Sequence, residues 1–253
     1  MKDQVVRYRR YTFQGNSGYI VDRELIGLGH TALVKPWHDP QVHKHEFSEE
    51  FYFLRKGVFT LLVTDFFITL QPNEILMVKP NVPQAIVGGK GEIEHFGVRV
   101  PLVDDKQVVG QLPQETKICY EGERLLSGEW GHRIPLNKPD HQNCWLVGAG
   151  SAKYASKHMA LAYLDFLTTE EANAGIGRRH RLHLHQKSWE YYTVLEGTKN
   201  LRVENELVTI EAGGILEIPP NVKHTLQHRT APFRGFTIRV PIVLNDKIEF
   251  ETV

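Results

Sequence analysis

The chain has 253 residues, 41% of them hydrophobic and 24% charged, the balance of a folded globular protein rather than a disordered one. Thirty Lys plus Arg against thirty Asp plus Glu give a formal charge of zero, which argues against a nucleic-acid partner because phosphate neutralisation needs a basic excess. No run nears the roughly 18 apolar residues of a membrane span, and the opening MKDQVVRYRR lacks the apolar core of a signal peptide. With Cys119 and Cys144 its only cysteines, the chain carries no disulfide framework, so the expectation is a cytoplasmic protein with no membrane partner.

In chain order, runs rich in Val, Ile, Phe, Tyr and Thr predict strands at Glu50–Leu54, Phe59–Val63, Phe66–Leu70 and Ile75–Val78. Gly57, Pro72-Asn73 and Lys79-Pro80-Asn81 are read as the turns between them. Residues 104–140 show little periodicity and read as a connection, with strands expected at Ile118–Tyr120 and just beyond it at Cys144–Val147. A short helix is predicted over Thr168–Ala174, where a threonine can cap a first turn carrying Glu170 and Glu171. Strands return at Tyr191–Leu195, Leu201–Val203, Leu207–Ile210 and Phe236–Val240. The pattern is all-β, with the even spacing of a sandwich or barrel.

The chain is also a duplication. Laid on residues 183–241, residues 43–101 give 18 identities in 59 positions without a gap. At ordinary residue usage, chance gives roughly 5–7%. His43, His45, Ser48, Glu50, Tyr52 and Gly57 recur as His183, His185, Ser188, Glu190, Tyr192 and Gly197. Pro80-Asn81-Val82 and Arg99-Val100-Pro101 recur as Pro220-Asn221-Val222 and Arg239-Val240-Pro241.

Thirteen histidines stand out, and the second copy gathers them with purpose. Residues two apart on a strand face the same way, so His183 and His185 send both imidazoles to one side. Glu190 follows a predicted turn onto the partner strand, and His224 follows the Pro-Pro-Asn turn of a third strand. Three imidazoles and a carboxylate suit Fe, Mn, Ni, Cu or Zn as divalent ions and leave coordination positions open. In the first copy His43, His45 and Glu50 match, but Gln84 stands where His224 would be, and an amide oxygen is a poorer ligand than imidazole. A weaker metal site, a metal-free ligand pocket and a barrel kept for packing are the three readings of that copy. Tyr192, two residues past Glu190 on the same face, and His180, three residues before His183, are the candidate proton donors or bases. Arg178, Arg179 and Arg181 form either a solvated basic loop or a steering patch for an anionic substrate. Arg99 and Arg239 are read as structural ion-pair partners.

The spacing Gly177-x5-His183-x-His185-x4-Glu190-x6-Gly197, followed by Pro220 and His224, resembles the two motifs of the cupin superfamily. Asn221 replaces the middle glycine of the second motif. Both copies carry the resemblance, so the chain is similar to a bicupin. That implies two tandem barrels of the double-stranded β-helix or jelly-roll type, expected over residues 1–125 and 126–253. It also implies one divalent transition metal in the C-terminal barrel, a weaker second metal in the N-terminal one, a small-molecule substrate and a homo-oligomer. The implied activity is that of a metal-dependent enzyme on a small oxygen-rich organic substrate, a dioxygenase-type oxidoreductase first. An isomerase, epimerase or decarboxylase comes next, and a non-catalytic binder of a sugar or small acid stands against all of these.

Overall fold

The computed structural model describes residues 8–250 apart from 14, 16–17, 34–38, 113–124, 151, 175 and 177–179. The predicted strand Ile118–Tyr120, Cys119, Gly177, Arg178 and Arg179 lie outside the described residues. The chain divides into two compact units, Gln14–Pro139 and Asp140–Val253 joined by Met1–Phe13.

Each unit contains one ten-stranded sheet. In the first unit the path runs Ser127–Gly128, Gly131–Pro135, Glu74–Val78, Glu49–Val63, Gln84–Val100, Ile26–Leu33, Tyr19–Arg23. Asp39–His45 lies between Gln84–Val100 and Lys106–Gln111. In the second unit the path runs Arg9–Thr12, Gly214–Ile218, Trp189–Val203, His224–Val240, Ala160–Phe166, Cys144–Gly148, Tyr154–Ala155. His183–His185 lies between His224–Val240 and Lys247–Glu249.

Two differences from the sequence reading concern edges and bulges. The expected division between residues 125 and 126 shifts because Gly131–Pro135 pairs with Glu74–Val78 of the first unit. In turn, Arg9–Thr12 pairs with Gly214–Ile218 of the second. Each segment covers the exposed edge of a matching strand, which would otherwise present unpaired N–H and C=O groups. Gly57, expected at a turn, and its repeat Gly197 each lie inside one 15-residue strand, Glu49–Val63 or Trp189–Val203, at a bulge. Their φ angles are 80° and 77°, and a Cβ on Gly197 would sit 2.5 Å from Pro232 O. No side chain fits there, so the glycine bends the strand without ending it.

The helix forms over Thr169–Asn173 with Thr168 as N-cap and Glu171 completing a capping box, as the sequence predicts. Inward-facing residues make the cores: Leu54, Phe59, Leu61, Ile68 and Leu76 in the first unit, Val194, Leu201, Val208, Leu216 and Phe233 in the second. Each such side chain contributes about 1.5–3 kcal/mol by leaving water. Among the described residues no helix is long and apolar enough to cross a membrane.

Candidate metal centre

Three strands of the second unit bring the predicted residues together. His183 is the cross-strand neighbour of His224, and Glu190 enters from the start of Trp189–Val203. The Pro220-Asn221 turn sets the third strand: Asn221 adopts a φ of 63°, and its backbone N–H donates to His185 O at 2.7 Å. Glycine and asparagine are the residues that tolerate this left-handed backbone, which explains why Asn221 can take the glycine's place.

His183, His185, Glu190 and His224 are all buried, and one ligand atom from each lies within 4.8 Å of the others. His183 donates through Nδ1 to Arg181 O at 2.8 Å, and His224 through Nδ1 to Val222 O at 3.0 Å. His185 Nδ1 faces Asp246 Oδ2 at 3.3 Å. With the Nδ1 atoms of His183 and His224 engaged in these hydrogen bonds, the imidazoles turn Nε2 inward: His224 Nε2 is 2.7 Å and His185 Nε2 3.4 Å from Glu190. Outer partners of this kind fix the tautomer of a ligating histidine. The donor set and its orientation fit a divalent transition metal.

The electrostatics agree. Burial would raise the Glu190 carboxyl, but the His185 and His224 imidazoles outweigh it and hold it well below the usual carboxylate range. Burial, then the His224 charge, lowers His183 to about 4, so its ring is neutral near pH 7. Tyr192 donates its phenol to Glu190 Oε2 at 2.7 Å, and burial plus that carboxylate raise its pKa well above 10.0. His180, His183, His185, Glu190 and Tyr192 line one cavity of about 490 Å³, so both candidate proton-transfer residues reach the same space. Arg181 is exposed and 4.0 Å from Glu249.

The first unit repeats the frame with a different third side chain. His43, His45 and Glu50 bring ligand atoms within 4.8 Å of one another, and His43 is the cross-strand neighbour of Gln84. Gln84 turns its amide Nε2 toward Glu50 Oε2, which also accepts from Tyr52 at 2.9 Å. Its buried Oε1 has no hydrogen-bond partner among the described residues. Gln84 therefore acts on the carboxylate as a donor, and its oxygen is not turned toward it.

The sequence reading missed two residues that hold the histidines. Asp105 Oδ1 meets His45 Nδ1 at 2.9 Å, while its Oδ2 accepts from the backbone N–H groups of Phe47 and Ser48. Asp246 accepts from the backbone N–H groups of Lys187 and Ser188, and its Oδ2 lies 3.3 Å from His185 Nδ1 outside hydrogen-bond geometry. They escape a gapless comparison because they stand 141 residues apart rather than 140; the repeated serines were the available signal. Arg99 and Arg239 depart from their expected role. Among the described residues neither forms an ion pair: Arg99 bonds Val103 O, and Arg239 lies 5.2 Å over the Trp145 ring beside the cavity.

Comparison with known proteins follows this geometry. A family model described as "Cupin domain" matches residues 173–238, which contain all four clustered residues. No curated protein sequence matches the chain. Among solved structures, the salicylate 1,2-dioxygenase of Pseudaminobacter salicylatoxidans is similar at 12% identity and a TM-score of 0.59, over 86% of this chain and 71% of that one. The oxalate decarboxylase of Lactobacillus farciminis, in a formate complex, is similar at 14% identity and a TM-score of 0.58, over 95% and 88%. That of Bacillus subtilis gives 13% and 0.58, over 95% and 79%. A cupin domain thus lies in the second unit, and the first unit repeats its strand pairing, so the chain has the fold of two tandem cupin-type barrels.

Proposed function

We propose that the second barrel holds one divalent transition metal on His183, His185, Glu190 and His224, and that the protein is an enzyme acting there on a small oxygen-rich substrate. The observation that carries this reading is the convergence of three oriented imidazoles and one carboxylate, all buried, on a single point beside a cavity. A bound metal supplies Lewis acidity, and, if it is iron, a route to dioxygen. The protein's own residues do the rest. Tyr192 keeps its proton and fixes Glu190 Oε2. Leu164, Phe166 and Leu226 give the cavity part of its apolar wall, and its volume is that of a small-molecule site. To His180, which lines the same cavity, we assign the passing of a proton.

Within this class we favour a dioxygenase-type oxidoreductase acting in the cytoplasm. Salicylate dioxygenase shows that dioxygenase chemistry occurs on this fold, and oxalate decarboxylase stands for the alternative. Elemental analysis of gently purified protein is expected to find about one transition metal per chain; none would remove the basis of the proposal. Iron-loaded protein given small hydroxy acids should consume oxygen, whereas turnover without uptake would mark an isomerase or decarboxylase.

A further inference from the structure

Lys199 and Arg229 are 3% and 4% exposed, face each other across the Trp189–Val203 and His224–Val240 strands, and line the cavity that reaches the histidines. Neither forms an ion pair among the described residues. The Lys199 ammonium lies 3.7 Å over the ring of Tyr192. Arg229 donates through Nη1 to Ala172 O at 2.6 Å, its Nε has no acceptor, and its guanidinium sits 5.3 Å and 5.5 Å from the Phe166 and Phe233 rings. Burying two cations side by side carries a desolvation penalty for each, and they also repel one another. Burial, then the Arg229 charge, pushes the Lys199 pKa well below its ordinary value.

The fold does not require them. The matching pair in the first unit, in the same register, is Phe59 and Gly89, and a Cβ on Gly89 would meet Ile93 Cδ1 at 2.6 Å. The same two strands therefore pair well with an aromatic ring and no second side chain. Glu190 lines the same cavity and its charge acts on Lys199, but among the described residues it pairs with His185 and His224 and with neither cation; the cavity is open for a ligand to bring a contacting counter-charge.

We propose that Lys199 and Arg229 form a carboxylate subsite, and that the substrate of the second barrel is a small organic acid bound there with its other oxygens toward the histidines. The second half rests on the metal reading above; the first half does not. A carboxylate between an ammonium and a guanidinium replaces two uncompensated charges with charge-assisted hydrogen bonds.

Calorimetric titration of the purified full-length protein tests this with benzoate and malonate against benzamide and malonamide. The acids are expected to bind at least tenfold more tightly than the amides. Lys199→Met should lose at least tenfold for the acids and nothing for the amides, with metal content unchanged, and Lys199→Arg should recover part of the loss. Thermal melting guards against misfolding. Lys199→Met should melt at or above the wild type without ligand, because an uncompensated buried charge has gone, and malonate should raise only the wild-type Tm. Equal binding of acids and amides, acid binding indifferent to Lys199→Met, or a lowered Tm in that variant would each overturn the subsite. Acid binding that depends on Lys199 in a protein that holds no metal would keep the subsite and sink the metal reading; bound metal with indifferent acid binding would do the reverse.

Discussion

The two barrels share a backbone and differ at a handful of inward positions. Both place a histidine pair, a glutamate and a tyrosine in the same register, with an Asn in the left-handed turn and an Asp behind the second histidine. The differences lie on the same strands: Gln84 against His224, Phe59 against Lys199, Gly89 against Arg229 and His95 against Gly235. In the first barrel Phe59 and His95 stack at 5.1 Å and occupy the interior. In the second those rings are gone, and charged groups surround a cavity. The largest expected contrast follows from the third ligand. His224→Ala should drop the metal content of dialysed protein from about one per chain to nearly none, whereas Gln84→Ala should leave it unchanged. Gln84→His should sharpen the comparison by adding a second equivalent. Equal losses from the two alanine variants in elemental analysis would mean the barrels are not divided in this way.

His95 makes the filled barrel sensitive to acid. Burial, with the His30 charge adding to it, lowers its pKa to about 4, against an ordinary value near 6.5 in an unfolded chain. Below about 6.5 the unfolded state therefore binds the proton that the folded state refuses. Stability contributed by a neutral His95 is intact above that pH and is lost as pH falls toward about 4, by about 3 kcal/mol at the limit. His95→Phe keeps a ring against Phe59 and should flatten that fall. Denaturant unfolding at pH 7 and pH 4.5 checks it: parallel losses in wild type and variant would show that His95 is not the group responsible.

The ligand set was legible because His183, His185 and Glu190 recur from the first copy at a constant offset and His224 follows the repeated Pro-Asn-Val turn. Other features were hidden by their chemistry. Gly57 and Gly197 look like turn residues, since the local sequence does not distinguish a left-handed bulge from a left-handed turn. Lys199 sits in a polar stretch, Thr198-Lys199-Asn200, and only its strand partner Arg229 and the shared cavity reveal it as buried. The exchanged edge strands Arg9–Thr12 and Gly131–Pro135 are too short for periodicity to assign them to a unit. Asp246 was lost to a single inserted residue. Its replacement, Asp246→Asn, should weaken metal binding 10–100-fold in competition with a chelator, as removal of an outer carboxylate does elsewhere. Asp105→Asn should leave that measurement unmoved, because the site it supports has no third imidazole.

The smallest effect tests what the barrels hold in common. Asn221 and Asn81 sit at φ 63° and 64°, and each backbone N–H ties its turn to the carbonyl of the second histidine. The side chain contributes less: Asn221 Nδ2 reaches Gln186 O at 3.4 Å. If the backbone conformation is the reason for asparagine here, Asn221→Gly should melt near the wild type, while Asn221→Ala should lose about 1 kcal/mol from the left-handed penalty on its Cβ. The paired substitutions at Asn81 should behave alike, because the turn belongs to the scaffold and not to the metal. Metal content should stay unchanged in Asn221→Gly, since the N–H to His185 survives the change. Equal destabilisation by glycine and alanine would assign the role to the amide side chain instead, and the turn would then be held by its hydrogen bonds rather than by its φ.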